Sequence, residues 1–244
     1  MLFRSIVFNV VFYLNTLLYL AIALPTFVMS YRSVLAVAQA WGRANLVLLR
    51  VIVGIDVEFR GLERIPPGPL IVAAKHQSAW ETFALVTLFE NPLFILKREL
   101  LWIPIFGWLL AKARMVPIDR RAAPGAVMAM TRRAIFEIKE GRQLIIFPEG
   151  TRRPPGAEPA YKSGVILLYD RAGVPCLPVA LNSGLFWPRR SIRRVPGTVV
   201  VEILDPIPPG LDKDAFSARL QHAIETATAR LIEEGKQEIA RRSG

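Results

Sequence analysis

The chain has 244 residues, enough for one α/β domain with a well-buried core and a small appendage, and too few for two large domains. Lys plus Arg outnumber Asp plus Glu by 31 to 20, a net charge of +11 that suits anionic partners. With 52% hydrophobic residues, long apolar runs and no zinc-ligand spacing, membrane is favoured over nucleic acid, and the single cysteine, Cys176, excludes an intrachain disulfide framework.

No charged residue occurs between Arg4 and Arg32, and residues 34–53 are again apolar but for Arg43 and Arg50. About 20 apolar residues span a bilayer. Residues 1–55 are therefore expected to form a membrane-anchoring element, either one transmembrane helix or a helical hairpin dipping into one leaflet. The four arginines of this segment, with no acid beside them, argue for flanks on the cytoplasmic side of an inner membrane, although basic residues on both sides of the run leave the orientation open.

From Asp56 the texture changes to alternating short strand-type and longer helix-type runs, the pattern of an α/β sheet flanked by helices. Strands are predicted at residues 57–59, 70–74, 93–96, 115–118, 144–147, 177–181 and 198–204. Helices are predicted at 79–89, 126–140, 164–172 and 215–239. Residues 56–244 are read as one domain. Residues 100–110, apolar all round with Trp102 and Trp108 and basic flanks, fit either an interfacial element or a buried helix. Cys176 lies in the apolar run 175–181 and reads as a buried thiol, and His222 lies on the polar last helix as a surface residue.

Two stretches carry the candidate chemistry. The first is Lys75-His76-Gln77-Ser78-Ala79-Trp80-Glu81, which follows an apolar strand and holds one of only two histidines. Positions five apart on one helix diverge by about 140°, so His76 and Glu81 meet only if His76 is in the loop and Glu81 in the first helical turn. In that arrangement the carboxylate fixes the tautomer of an imidazole base. The competing reading is a capping box, Ser78-Ala79-Trp80-Glu81, in which Glu81 returns a hydrogen bond to the helix start. The second stretch is Phe147-Pro148-Glu149-Gly150-Thr151-Arg152-Arg153, a buried strand running into a charged turn. Both fall just after strand carboxyl ends, where open α/β sheets place their ligands. Glu149 suits a substrate hydroxyl and Arg152 a phosphate, with a plain surface turn as the alternative.

His76-Gln-Ser-Ala-Trp-Glu81, Val116-Pro-Ile-Asp-Arg120, Phe147-Pro-Glu-Gly-Thr-Arg152 and Val174-Pro-Cys-Leu-Pro-Val179, in that order, resemble the four blocks of the glycerolipid acyltransferases, most closely the bacterial 1-acylglycerol-3-phosphate acyltransferases. Lys97-Arg98-Glu99-Leu100 also resembles the stretch that follows the family's first block. The resemblance implies transfer of a fatty acyl group from acyl-CoA or acyl carrier protein to the sn-2 hydroxyl of lysophosphatidic acid, giving phosphatidic acid. It implies His76 as general base with Glu81 as its partner, and a central mixed sheet behind the site. Lys97, Arg120 and Arg152 are the expected phosphate ligands, with Arg121 and Arg153 as neighbours not ranked by sequence. Glu149 and the Gly150–Thr151 backbone are expected to orient the glycerol portion. No metal or organic cofactor is implied, because the thioester supplies the driving force. The family pattern has aspartate where this chain has Glu81, a departure of one methylene that a shift of the helix turn is expected to absorb. Without a G-x-S-x-G elbow, Ser78 is read as a helix cap and not a nucleophile. The basic loop at residues 187–194 is expected to contact anionic headgroups or to dock an acidic carrier protein. Alternatives are the same fold acting on glycerol 3-phosphate or another lysophospholipid, and a non-catalytic membrane lipid-binding protein.

Overall fold

The computed structural model describes residues 2–119 and 125–243. Seven strands form one mixed sheet, β1 (Ile55–Arg60), β2 (Leu70–Ala74), β3 (Pro92–Lys97), β4 (Val116–Ile118), β5 (Gln143–Ile146), β6 (Cys176–Leu181) and β7 (Gly197–Ile203), in the order β1-β7-β6-β2-β5-β3-β4. Strands β2 to β6 are mutually parallel, β7 runs antiparallel to β6, and β1 pairs parallel with β7. All seven strand expectations are met within a residue or two. The apolar runs are bounded by proline, glycine or charge, which leaves few alternatives for where pairing stops.

Strand β2 is buried at every position because it lies mid-sheet with both faces covered. Leu70, Val72 and Ala74 share one core with Phe8, Phe83, Phe186 and Trp187, while Ile71 and Ala73 share the other with Ile138, Leu168, Phe216 and Ile224. The second core is closed by α5 (Gly125–Lys139), α6 (Ser163–Ala172) and α8 (Lys213–Ser243). α8 begins where Asp212 Oδ1 accepts the Asp214 and Ala215 amides, at 3.0 and 2.9 Å, two residues before the predicted start. Cys176 is fully buried, and burial pushes its thiol well above the ordinary range.

The N-terminal segment forms a hairpin of α1 (Leu2–Ala23) and α2 (Tyr31–Leu48), continued by one wide turn at Leu49–Val53. Both arms are long and apolar enough to cross a membrane. α1 packs mainly on α2, where Trp41 Nε1 donates to Thr16 Oγ1 (3.2 Å), and its N-terminal half also touches the domain: the Arg194 amide donates to Ser5 Oγ (2.9 Å), and Phe8 and Phe12 meet Trp187. Farther along, Lys112 Nζ donates to the Phe27 carbonyl (3.1 Å). The opposite face of α1 exposes Phe3, Ile6, Val10, Tyr13, Leu14, Leu17 and Leu18. An apolar surface of this extent belongs against a membrane.

Two expectations change. The predicted helix at 79–89 is only α3 (Glu81–Ala84) followed by a 3-10 turn at Leu85–Thr87. Thr82 and Thr87 hydroxyls donate to the carbonyls of Ala79 (2.6 Å) and Ala84 (2.7 Å), three residues back, and favour the tighter turn. Residues 100–110 are not one helix: a 3-10 turn at Arg98–Trp102 precedes α4 (Phe106–Lys112), with Pro104 and a left-handed Ile105 between them. Gly107 and Leu109 face inward, whereas Trp102 and Trp108 are 70% and 58% exposed, which fits the interfacial reading. Between the hairpin and α4 lies an apolar cleft of about 100 Å³ lined by Leu20, Ala23, Leu35, Trp41 and Leu109.

Candidate active site

Parallel pairing sets Ala74 beside Val179, Ala73 beside Ile146, Phe94 beside Ile145 and Lys97 beside Ile118. The carboxyl ends of β2 to β6 therefore share one edge, and the loops that leave it carry the candidate residues. His76 lies in the loop after β2 and Glu81 is the first residue of α3, as the spacing requires. His76 Nδ1 is 3.2 Å from Glu81 Oε2. This contact assigns the Nδ1 proton to the carboxylate side and leaves Nε2 as the basic nitrogen. The imidazole is stacked on Phe147, ring centroids 3.8 Å apart and 12° from parallel, and its side chain remains 11% exposed. One ring face is thus closed and the ring plane set by the second candidate stretch.

Glu81 is fully buried, and its carboxylate accepts the amides of Gln77 (3.2 Å) and Ser78 (2.9 and 3.0 Å). Ser78 Oγ accepts the Trp80 amide (3.2 Å). The capping arrangement and the dyad are thus one structure: the carboxylate that closes the helix start is the one that holds His76. Ser183 Oγ also donates to Glu81 Oε1, and the Gly184 amide donates to Gln77 Oε1 (3.0 Å). Ser183 and Gln77 were not singled out by the sequence reading. Ser183 opens α7 (Ser183–Phe186), directly after the end of β6. The same strand-end argument that points to His76 and Glu149, applied to β6, leads to it.

The two candidate stretches are joined by the backbone, since the Arg153 amide donates to the His76 carbonyl (2.8 Å). Lys97, at the end of β3, and Thr151 are exposed along this edge, and Arg152 is half-buried, its carbonyl accepting Arg189 Nη1 at 2.9 Å. Arg120 and Arg121 lie outside the described residues. Two assignments need correction. Glu149 is only 2% exposed and turned inward, with Lys75 Nζ at 3.3 Å and Arg153 Nε at 3.7 Å, so it is not placed to meet a substrate hydroxyl. Burial holds its carboxyl above the usual range against the opposing pull of Lys75. The Gly150 amide is likewise committed, donating to the Phe147 carbonyl (2.9 Å). Lys75 continues to α8, where Glu225 accepts at 2.8 and 2.9 Å and also takes the Tyr161 hydroxyl (2.9 Å). Among the described residues no group of three or more His, Cys, Asp or Glu side chains is disposed to hold a metal ion.

A mixed α/β sheet with a histidine–carboxylate pair in the loops at its carboxyl edge, joined to an apolar N-terminal helical hairpin, is the class of architecture that comparison with known proteins identifies. The chain belongs to the acyltransferase family, whose sequence profile matches residues 56–182. It is 43% identical over 167 residues to a 1-acyl-sn-glycerol-3-phosphate acyltransferase of Pseudomonas aeruginosa, a match covering 68% of this chain and 65%, just under two thirds, of that protein. It is 30% identical over 237 residues to the human 1-acyl-sn-glycerol-3-phosphate acyltransferase alpha, covering 94% of this chain and 83% of the relative. The crystal structure of PlsC, the 1-acyl-sn-glycerophosphate (LPA) acyltransferase of Thermotoga maritima, superposes with a TM-score of 0.76 at 26% identity, covering 96% of this chain and 97% of that one.

Proposed function

We propose that the protein transfers a fatty acyl group from a thioester, acyl-CoA or acyl carrier protein, to the free hydroxyl of lysophosphatidic acid, yielding phosphatidic acid. The reading rests on one observation above the others: the His76–Glu81 dyad opens at the strand edge with Phe147 of the Phe-Pro-Glu-Gly-Thr-Arg turn stacked on the imidazole. An alcohol is a weak nucleophile at neutral pH. His76 Nε2 takes the hydroxyl proton as the oxygen attacks the thioester carbonyl, and buried Glu81 stabilises the imidazolium that forms. The new C–O bond forms, the C–S bond breaks, and the imidazolium returns its proton to the departing thiolate. No acyl-enzyme, metal or organic cofactor enters the scheme. Lys97 and Arg152 supply the cationic edge for the acceptor phosphate.

Acceptor and product are both amphiphiles. The apolar hairpin and the exposed Trp102 and Trp108 let the acceptor reach the edge of the sheet without leaving the lipid, and the cleft between hairpin and α4 receives part of an alkyl chain. The arginines at 4, 32, 43 and 50 favour the cytoplasmic face of an inner membrane.

The test is purified protein with labelled acyl-CoA or acyl carrier protein and a panel of acceptors: lysophosphatidic acid, glycerol 3-phosphate and neutral lysophospholipids. Lysophosphatidic acid is expected to be acylated, and His76→Ala to lower kcat by on the order of 10²- to 10⁴-fold. Turnover retained in that variant would refute the base assignment, and preference for another acceptor would refute the substrate.

A further inference from the structure

We propose that Ser183 is a positioning residue that holds Glu81 in register with His76. The inference rests on the acyl-transfer reading. The amides of Gln77 and Ser78 that Glu81 accepts lie three and four residues back on its own loop. The Ser78 amide is shared by both oxygens and the Gln77 amide falls to Oε1, so these donors tie the carboxylate only to its own loop. Ser183 Oγ reaches Oε1 from beyond the end of β6, 102 residues away in sequence, while Oε2 faces His76 Nδ1 and shares the Ser78 amide. Each carboxylate oxygen then has a fixed direction, and with it the imidazole.

Ser183 is itself held on every side. It is fully buried, and its carbonyl accepts the Trp187 amide (2.8 Å). Before it, Asn182 Nδ2 donates to the Leu231 carbonyl of α8 (3.1 Å) and Asn182 Oδ1 accepts the Val200 amide of β7 (2.8 Å). After it, the Gly184 amide is latched by the Gln77 side chain, and a Cβ on Gly184 would stand 2.9 Å from Gln77 Cβ and 2.8 Å from Pro155 Cγ. The serine hydroxyl therefore reports the position of β7 and α8 to the dyad. A carboxylate one C–C bond shorter, about 1.5 Å, cannot keep both His76 and Ser183.

The experiment measures kcat and KM for acyl transfer to lysophosphatidic acid in wild type, Ser183→Ala, Glu81→Asp and the double variant, together with thermal melting and the 15N resonances of His76. Ser183→Ala is expected to lower kcat about tenfold, part of the ~10²–10⁴ a positioned base supplies, with KM changed less than about twofold. In the Glu81→Asp background the same substitution is expected to change kcat less than about twofold, because the contact is already lost. Equal fold-losses in both backgrounds, or no loss in wild type, would overturn the proposal. If Ser183→Ala does not fold, Ser183→Cys, a weaker donor of similar size, is expected to give an intermediate loss, and full activity in it would also overturn the proposal. An inactive wild-type protein would refute acyl transfer itself, and the inference would then be decided by the His76 nitrogens: Nδ1 protonation that weakens in Ser183→Ala supports it, unchanged resonances overturn it.

Discussion

Glu149 shows what a strand-end position does and does not reveal about a side chain. Its place after a buried strand puts it at the carboxyl edge of the sheet, but the direction of the carboxylate is set by Lys75, which follows the neighbouring strand β2 and lies 3.3 Å away. That pairing depends on sheet order, which residue spacing does not contain. By contrast, His76 and Glu81 were legible because both partners sit in one loop, and Ser183 was not because it enters from 102 residues away. Glu149 is held above the usual carboxylate range, so its folded form binds the proton more tightly than its unfolded form. The stability from this site is fully present below the unfolded carboxylate value and is lost as pH rises through the raised folded value. Glu149→Gln removes that titration while Lys75 keeps Glu225. Its melting temperature relative to wild type is therefore expected to climb as pH is raised from 4 to 7, and a flat difference would contradict the assignment. Lys75→Met removes the buried cation shared by Glu149 and Glu225, leaving Arg153, at 3.7 Å, as the cation beside Glu149, and is expected to cost about 3 kcal/mol in denaturant unfolding.

At the scale of elements, the strands were the most legible parts, because each is a short apolar run closed by proline, glycine or charge. Helix α3 was overestimated since its fate is settled by local competition: threonine hydroxyls take the carbonyls a longer helix would use, and the Glu81 carboxylate folds back onto the loop amides. The short α7 was missed because a four-residue turn has no period to detect. Contact between elements is just as local. Helix α2 crosses α3 at Gly42, where a Cβ would stand 2.5 Å from the Phe83 carbonyl oxygen and 2.8 Å from Thr87 Cγ2. A side chain there must push the hairpin away from the helix that begins with Glu81. Gly42→Ala is expected to destabilise by about 1–3 kcal/mol and to reduce activity, whereas Gly125→Ala, with nothing among the described residues within 4 Å of its Cβ, is expected to do neither. Equal melting temperatures for the two variants would exclude tight hairpin docking.

At the scale of the whole molecule, the hairpin meets the bilayer either as a span or as an element in one leaflet, and its packing favours a testable expectation. Helix α1 has 22 residues, about 33 Å, long enough to cross a hydrocarbon core of about 30 Å. The N-terminal half of α1 meets the domain at Arg194 and Trp187, and the turn after the helix is held by Lys112 on the Phe27 carbonyl; that domain carries charged and polar groups that do not enter hydrocarbon without large cost. With these contacts kept, the hairpin is expected to stay in one leaflet with only its outer face in lipid. Ile192, exposed among Arg189, Arg190 and Arg193, lies near Asn9 of α1, whose side chain donates to its carbonyl at 3.5 Å, and α4, which carries exposed Trp108, lines a cleft with Leu20 and Ala23 at the other end of α1. Each basic side chain at an anionic surface contributes on the order of 1 kcal/mol, which pins the Asn9 end of the helix to the headgroups. The arrangement is tested with the otherwise cysteine-poor chain. Cys176 is buried, so a thiol introduced at exposed Ser30, in the turn of the hairpin, and one at exposed Ala218 on α8 are each addressable by a membrane-impermeant reagent. A spanning hairpin places its turn across the bilayer from the domain. A hairpin lying in one leaflet keeps both on one side, so Ser30→Cys and Ala218→Cys are expected to label together in inverted membrane vesicles and to be protected together in right-side-out ones. Labelling of Ser30→Cys from the opposite side would show that the hairpin crosses, and would require the contacts of α1 with Trp187 and of the Phe27 carbonyl with Lys112 to break in the membrane.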